Sequence, residues 1–219
     1  MLNQIKQRLQ SRRHAGRLLA EKMAALKAHR AHSVVLAIPQ GGVPVGHEIS
    51  LSLNIPLEII FSRRIKHPAH SDQSIGAVSM DEVVLHETIQ YIPQSYVLNQ
   101  ITLLQRDLQE QFNRYYGDKT QKSIKGKTVL LVDDVMRDED DLIACLHTIE
   151  KQSPERVIVA AAVASIKIVN YLENHEYEFH YLFTELNTQS KAYTYFPEID
   201  EEELNEVLET RNRSIILKK

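Results

Sequence analysis

The feature that most constrains the fold is a series of short, mostly apolar runs separated by stretches of helical period. "SVVLAI" (33–38), "PLEIIF" (56–61), "TVLLV" (128–132), "RVIVAAAV" (156–163) and "EFHYLFT" (178–184) are too short for stable helices and rich in β-branched or aromatic residues. Runs with so little polar alternation are covered on both faces, as strands of parallel sheets are. Between them, "QGGVPVGHEISLSLN" reads as a glycine turn and then a helix that Pro44 can start from its first turn. Residues 94–116 put Val97, Ile101, Leu104, Leu108 and Phe112 on one side of a second helix, and 166–175 form a third. Strands alternating with helices predict an α/β fold built on a doubly wound, mainly parallel sheet with right-handed crossovers.

The remaining stretches decorate that core. Ile5, Leu9, Leu18, Leu19, Met23 and Leu26 predict an added N-terminal amphipathic helix over 3–29, weakened at Gly16, with Arg12, Arg13 and Arg17 on its solvated face. "SRRIKHPAHSDQSIG" (62–76) is polar and basic with little periodicity, which predicts a long loop. "AVSM" and "VVLHE" suggest a small antiparallel hairpin, and a short helix is expected at 201–209 in a tail rich in Tyr and acid. The expected organisation is one domain over 1–219, with a helix at 1–30, a loop and hairpin at 62–92, and a C-terminal tail or hood at 185–219.

Composition narrows the partners. With 43% hydrophobic and 25% charged residues, the 219-residue chain has ordinary globular composition. A net charge of -3 gives no basic surplus for nucleic acid. Cys145 is the only cysteine, so no intrachain disulfide forms, and a cytoplasmic setting is expected. The longest apolar run, from Val157 to Ala164, falls far short of the ~20 residues of a membrane helix. Lys and Arg recur through residues 6–30, unlike a signal peptide.

In doubly wound sheets, ligands sit beyond the carboxyl ends of the strands, where the strand order reverses. Three loops qualify: 39–43, 62–76 and 133–138. Gly41-Gly42 ends a strand and opens a helix, which suits either a tight turn or close approach of backbone N–H groups to an anion. Asp133-Asp134 puts two carboxylates side by side at a strand end, a costly pairing unless they meet sugar hydroxyls, a cation or an arginine. A receiver domain also carries paired aspartates after such a strand, but no later strand here ends in a phosphoacceptor aspartate. The next loop then carries Arg137, Asp138, Glu139, Asp140 and Asp141. Asp138 or Asp140 reads as a cap and dipole partner of the following helix, and Asp138 and Glu139, with Asp133 and Asp134, read as ligands of a divalent cation. His67 and His70 lack an evident third metal ligand. Cys145 reads as a buried apolar residue, and Tyr193, Tyr195 and Phe196 read as core or as a platform for a base.

Taken in order, these segments resemble the type I phosphoribosyltransferases, and within them a bacterial branch of unassigned substrate. The resemblance rests on "RRHAGRLLA" (12–20), "PQGGVPVGHEIS", "RRIKHPAHSDQSIGAVSMDEVVLHE", "VLLVDDV" and "FPEIDEEEL" (196–204). It implies transfer of a 5-phosphoribosyl group from phosphoribosyl pyrophosphate (PRPP) to a nitrogenous base, with Mg²⁺, by a homodimer. By the same resemblance, Asp133 and Asp134 would engage the ribose hydroxyls, or Mg²⁺ through water. Residues 137–141 would wrap the 5′-phosphate. Gln40, Gly41 and Gly42 would face the pyrophosphate, with Arg63 and Arg64 near its charge. Two departures stand out. Gln40 replaces the usual arginine, while Glu139 and Asp141 replace a glycine and a threonine of the phosphate loop. The departures raise a second expectation, a phosphate- or nucleotide-binding protein on the same scaffold without turnover.

Overall fold

The computed structural model describes residues 9–71, 73–117, 121–137, 139–185, 192–195 and 197. In chain order the elements are α1 (Arg12–Lys22), a 3₁₀ segment (Ala24–His32), β1 (Ser33–Ala37), α2 (Gly42–Leu53), β2 (Leu57–Ile59) and β3 (Ser62–Lys66). There follow β4 (Ser74–Ser79), β5 (Val83–Leu85), a 3₁₀ turn (Glu87–Tyr91), α3 (Gln94–Tyr116) and β6 (Thr128–Met136). The series ends with α4 (Glu139–Glu150), β7 (Arg156–Ser165), α5 (Ile166–Asn174) and β8 (Glu178–Glu185). These form two compact units. One comprises the described residues of Met1–Ile59, Lys127–Arg137 and Arg156–Lys219, the other those of Ile60–Gly126 and Asp138–Glu155.

The first unit holds a five-stranded parallel sheet of order β2-β1-β6-β7-β8. The strands follow from the apolar runs: every residue of β1 is buried, as are Val129 to Val132 of β6 and Ile158 to Ala164 of β7. From β1 the chain crosses through α2 to β2 on one side, whereas β6 lies on the other. The reversal of strand order therefore falls between β1 and β6, and the loops after both strands flank it.

The N-terminal helix is shorter than its periodicity predicts. Ser11 stops it at one end by capping, its Oγ accepting from the His14 N–H at 3.2 Å. Met23 leaves helical geometry at the other end, where a 3₁₀ segment takes over. Residues 3–8 of the expected helix lie outside the described residues, as does the helix expected at 201–209. Gly16 has a packing reason: a Cβ there would stand 2.5 Å from the Val45 carbonyl oxygen, so glycine lets α1 lie against α2.

Ser165 caps α5, its hydroxyl accepting from the Ile168 N–H at 3.3 Å and donating to the Arg137 carbonyl at 3.1 Å. One side chain thus ties the segment after β6 to the start of α5. Ser165→Ala is expected to lower stability by about 1 kcal/mol, seen as a lower urea midpoint at unchanged slope.

In the second unit, β3, β4 and β5 form an antiparallel sheet with β4 central, and α3 and α4 pack against it. Much of the stretch expected to be a loop at 62–76 is therefore strand. Ser62 and Ile65 turn inward in β3 while Arg63 and Arg64 do not, and two adjacent arginines hide the pattern in sequence. Among the described residues, no helix is long and apolar enough to cross a membrane.

Candidate ligand site

At the switch point β1 ends opposite Val132, whereas β6 runs on beside β7 to Met136. The Ile38 N–H donates to the Val132 carbonyl at 2.9 Å, which holds the turn after β1 on β6. The Gly42 N–H then bonds to the Ile38 carbonyl at 3.0 Å, and α2 begins. The Pro39–Gln40 peptide bond is cis. Both glycines are required by close approach. A Cβ on Gly41 would overlap the Asp134 carboxylate, and one on Gly42 would stand 2.5 Å from the Val132 carbonyl oxygen and 3.0 Å from the Asp133 Cα. Gln40, Gly41 and Gly42 are thus brought together with Asp133 and Asp134, at the positive end of α2.

The two aspartates differ. Asp133 is partly exposed and its Oδ1 accepts from the Asp134 N–H at 2.7 Å. Asp134 is buried, and the Arg12 Nε donates to its Oδ2 at 2.6 Å, both side chains being only 11% exposed. The Arg12 Nη1 donates to the Pro197 carbonyl at 2.6 Å. The segment around Tyr193 lies alongside Leu9, with the Leu9 N–H on the Ala192 carbonyl and the Thr194 N–H on the Leu9 carbonyl, both at 2.7 Å. Tyr193 is buried with Leu9, Ala15 and Val163. Burial first, and then the Asp134 carboxylate, push its phenol far above the ordinary tyrosine range; Arg12 opposes this and Asp133 adds to it. The phenol stays protonated and offers no base.

Arg12 corrects the expectation of a solvated arginine face. Arg13 and Arg17 fit that expectation, being 49% and 52% exposed beside Glu48. Arg12 does not, and the sequence carried a signal of it. Positions 12, 15, 16 and 19 share one helix face, and Ala15, Gly16 and Leu19 are buried. An arginine in register with an apolar stripe needs an acceptor.

The other candidate residues find partners within the second unit. Arg63 donates through Nη1 to the Ser62 carbonyl at 2.9 Å and through Nη2 to the Gln111 Oε1 at 2.6 Å. Arg64 pairs with Asp141 at 3.4 Å, and His86 pairs with Asp140, which is buried. Glu139, Asp140 and Asp141 occupy the first turn of α4, where negative charge suits the helix dipole. Arg137 belongs to the first unit, exposed, with its carbonyl on Ser165. Asp138 lies outside the described residues, as does Phe196.

Among the described residues, no group of three or more His, Cys, Asp or Glu side chains is placed to hold a metal. The His67 and His70 rings lie 5.0 Å apart. Cys145 is fully buried, Tyr193 is core, and Tyr195 is 65% exposed.

Comparison with known proteins agrees with this geometry. The model of the phosphoribosyl transferase domain matches residues 1–180. A similar solved structure is that of TT1426 from Thermus thermophilus, 31% identical, covering 92% of this chain and 97% of that one with a TM-score of 0.77. The AQ2163 protein from Aquifex aeolicus, 14% identical at a TM-score of 0.50 over 83% of this chain and 78% of that one, shares the fold. Rv0571c, a candidate phosphoribosyl transferase of Mycobacterium tuberculosis, is 26% identical over 159 residues, which are 71% of this chain and 35% of that protein. The chain thus spans about a third of the length of the curated relatives it matches. On these matches, the protein belongs to the phosphoribosyl transferase domain family.

Proposed function

We propose that the protein binds PRPP at Gln40, Gly41, Gly42, Asp133 and Asp134 and transfers its 5-phosphoribosyl group to a nitrogenous base. The observation that carries this reading is the packing of Gly41-Gly42 directly onto Asp133-Asp134, at the N-terminus of α2 and the switch point of the sheet. A diphosphate suits the helix N-terminus through backbone N–H groups and the helix dipole. A carboxylate beside it suits the ribose: it accepts from hydroxyls and stabilises the positive charge that develops on the sugar as the bond from its anomeric carbon to the pyrophosphate oxygen breaks and intact pyrophosphate leaves. Little proton chemistry is asked of the protein, whose work is positioning and electrostatics. Arg137, exposed just after β6, enters the proposal as a further phosphate contact. Homodimer formation belongs to the same proposal.

The donor set fits Mg²⁺ of the kind that keeps several waters and takes one or two carboxylates plus substrate phosphates. Asp133, partly exposed at the strand end, is the better placed ligand, because Asp134 has its Oδ2 on Arg12. Charge neutralisation on the diphosphate is what a bound Mg²⁺ supplies.

A second reading, binding without turnover, is favoured by the Arg12–Asp134 pair and by the replacement of a glycine and a threonine with Glu139 and Asp141. Calorimetric titration with PRPP and Mg²⁺, followed by an assay of pyrophosphate release against a panel of free bases, separates the two. Heat together with base-dependent release is the expected result. Heat without release leaves the binding protein, and silence at millimolar PRPP overturns both.

A further inference from the structure

We infer that Arg12 is a positioning residue of this site: by neutralising Asp134 it makes the N-terminus of α2 acceptable to a diphosphate, although the loop residue Gln40 carries no charge. The inference rests on the proposed reading and deepens it, naming where the positive charge of the pyrophosphate end comes from.

Gly41 touches the Asp134 carboxylate so closely that a Cβ would collide with it. Any anion held on the first turn of α2 therefore has a carboxylate as a near neighbour. Asp134 is buried and Gly41 half-buried, so water screens such a pair only in part and the repulsion is felt. A countercharge must be fixed at the same place, and Gln40 cannot supply one. Arg12 does so from a different element. Its guanidinium is held by two acceptors from separate segments, Asp134 and the Pro197 carbonyl, each at 2.6 Å. A planar fork is suited to such a double attachment, whereas an ammonium is a point charge. The contact on Asp134 is made through Nε, on the carboxylate that borders Gly41.

Inorganic pyrophosphate tests this with the full chain, since it lacks the ribose that Asp134 would otherwise contact. Its affinity is measured by calorimetry for wild type, Arg12→Gln, Asp134→Asn and the double variant, each well below its melting temperature. Arg12→Gln should bind pyrophosphate at least about tenfold more weakly, with a smaller loss for singly phosphorylated ribose 5-phosphate. Asp134→Asn should bind pyrophosphate as tightly as wild type or more tightly. The double variant should recover most of the loss, which a merely structural Arg12 would not produce.

Equal affinity in wild type and Arg12→Gln, or a double variant no better than Arg12→Gln, overturns the inference while leaving the proposed function standing. A wild-type chain that binds neither pyrophosphate nor PRPP overturns both. Should Arg12→Gln fail to fold, Asp134→Asn is compared with the double variant. Matching affinities support neutralisation, and a further loss of about tenfold refutes it in favour of direct contact between Arg12 and the anion.

Discussion

Asp134→Ala is expected to lower the free energy of unfolding by about 3 kcal/mol, the loss typical of removing one partner from a buried ion pair. The cost arises from what remains. Arg12 is almost as buried as Asp134, and with the carboxylate gone its charge stays desolvated, with the Pro197 carbonyl still accepting from it. Replacing both residues should cost less than the two single losses added together, because the buried arginine charge is then removed along with its carboxylate. Urea unfolding of the single and double alanine variants measures this coupling. Additive losses would mean that the pair is not the electrostatic unit its geometry indicates.

Gly41→Ala is expected to weaken PRPP binding by about a hundredfold or more, with a smaller loss of stability. The new methyl group would take the space of the Asp134 carboxylate, and backbone held by the Gly42 and Val43 N–H bonds gives it little room to retreat. The side chain of Asp134 must therefore swing, which breaks its contact with Arg12 and moves an acid that the ribose is proposed to meet. Calorimetry with PRPP and Mg²⁺, beside a thermal melt, checks both parts. An alanine variant that binds within a few-fold of wild type would show that this approach of glycine to carboxylate has no part in the ligand site.

The parallel sheet was legible because its strands are uninterrupted apolar runs of a length only a buried strand accommodates, as in "SVVLAI" and "TVLLV". Pairs set by local chemistry were legible too: Gly41-Gly42 and Asp133-Asp134 stand out in any reading. What escaped depends on distance along the chain. The partner of Arg12 is Asp134, 122 residues away, and a helix period alone cannot say which arginine finds an acid. The acidic turn shows the same limit from the other side. Nothing in the run of acids says that Asp140 pairs with His86 and Asp141 with Arg64, one from beside β5 and the other from β3. β3 was misread because its inward residues, Ser62 and Ile65, do not alternate evenly around two arginines.

The order of the parallel sheet also bears on how the chain is made. β1 pairs with β6, and Ser33 meets Thr128, so the centre of the sheet closes only after roughly a hundred further residues have been synthesised. On the ribosome β1, α2 and β2 emerge early, as half a sheet whose inner edge waits for a strand not yet translated. An apolar edge left open during elongation is a template for wrong partners, and chaperone binding in that interval would be drawn to β1.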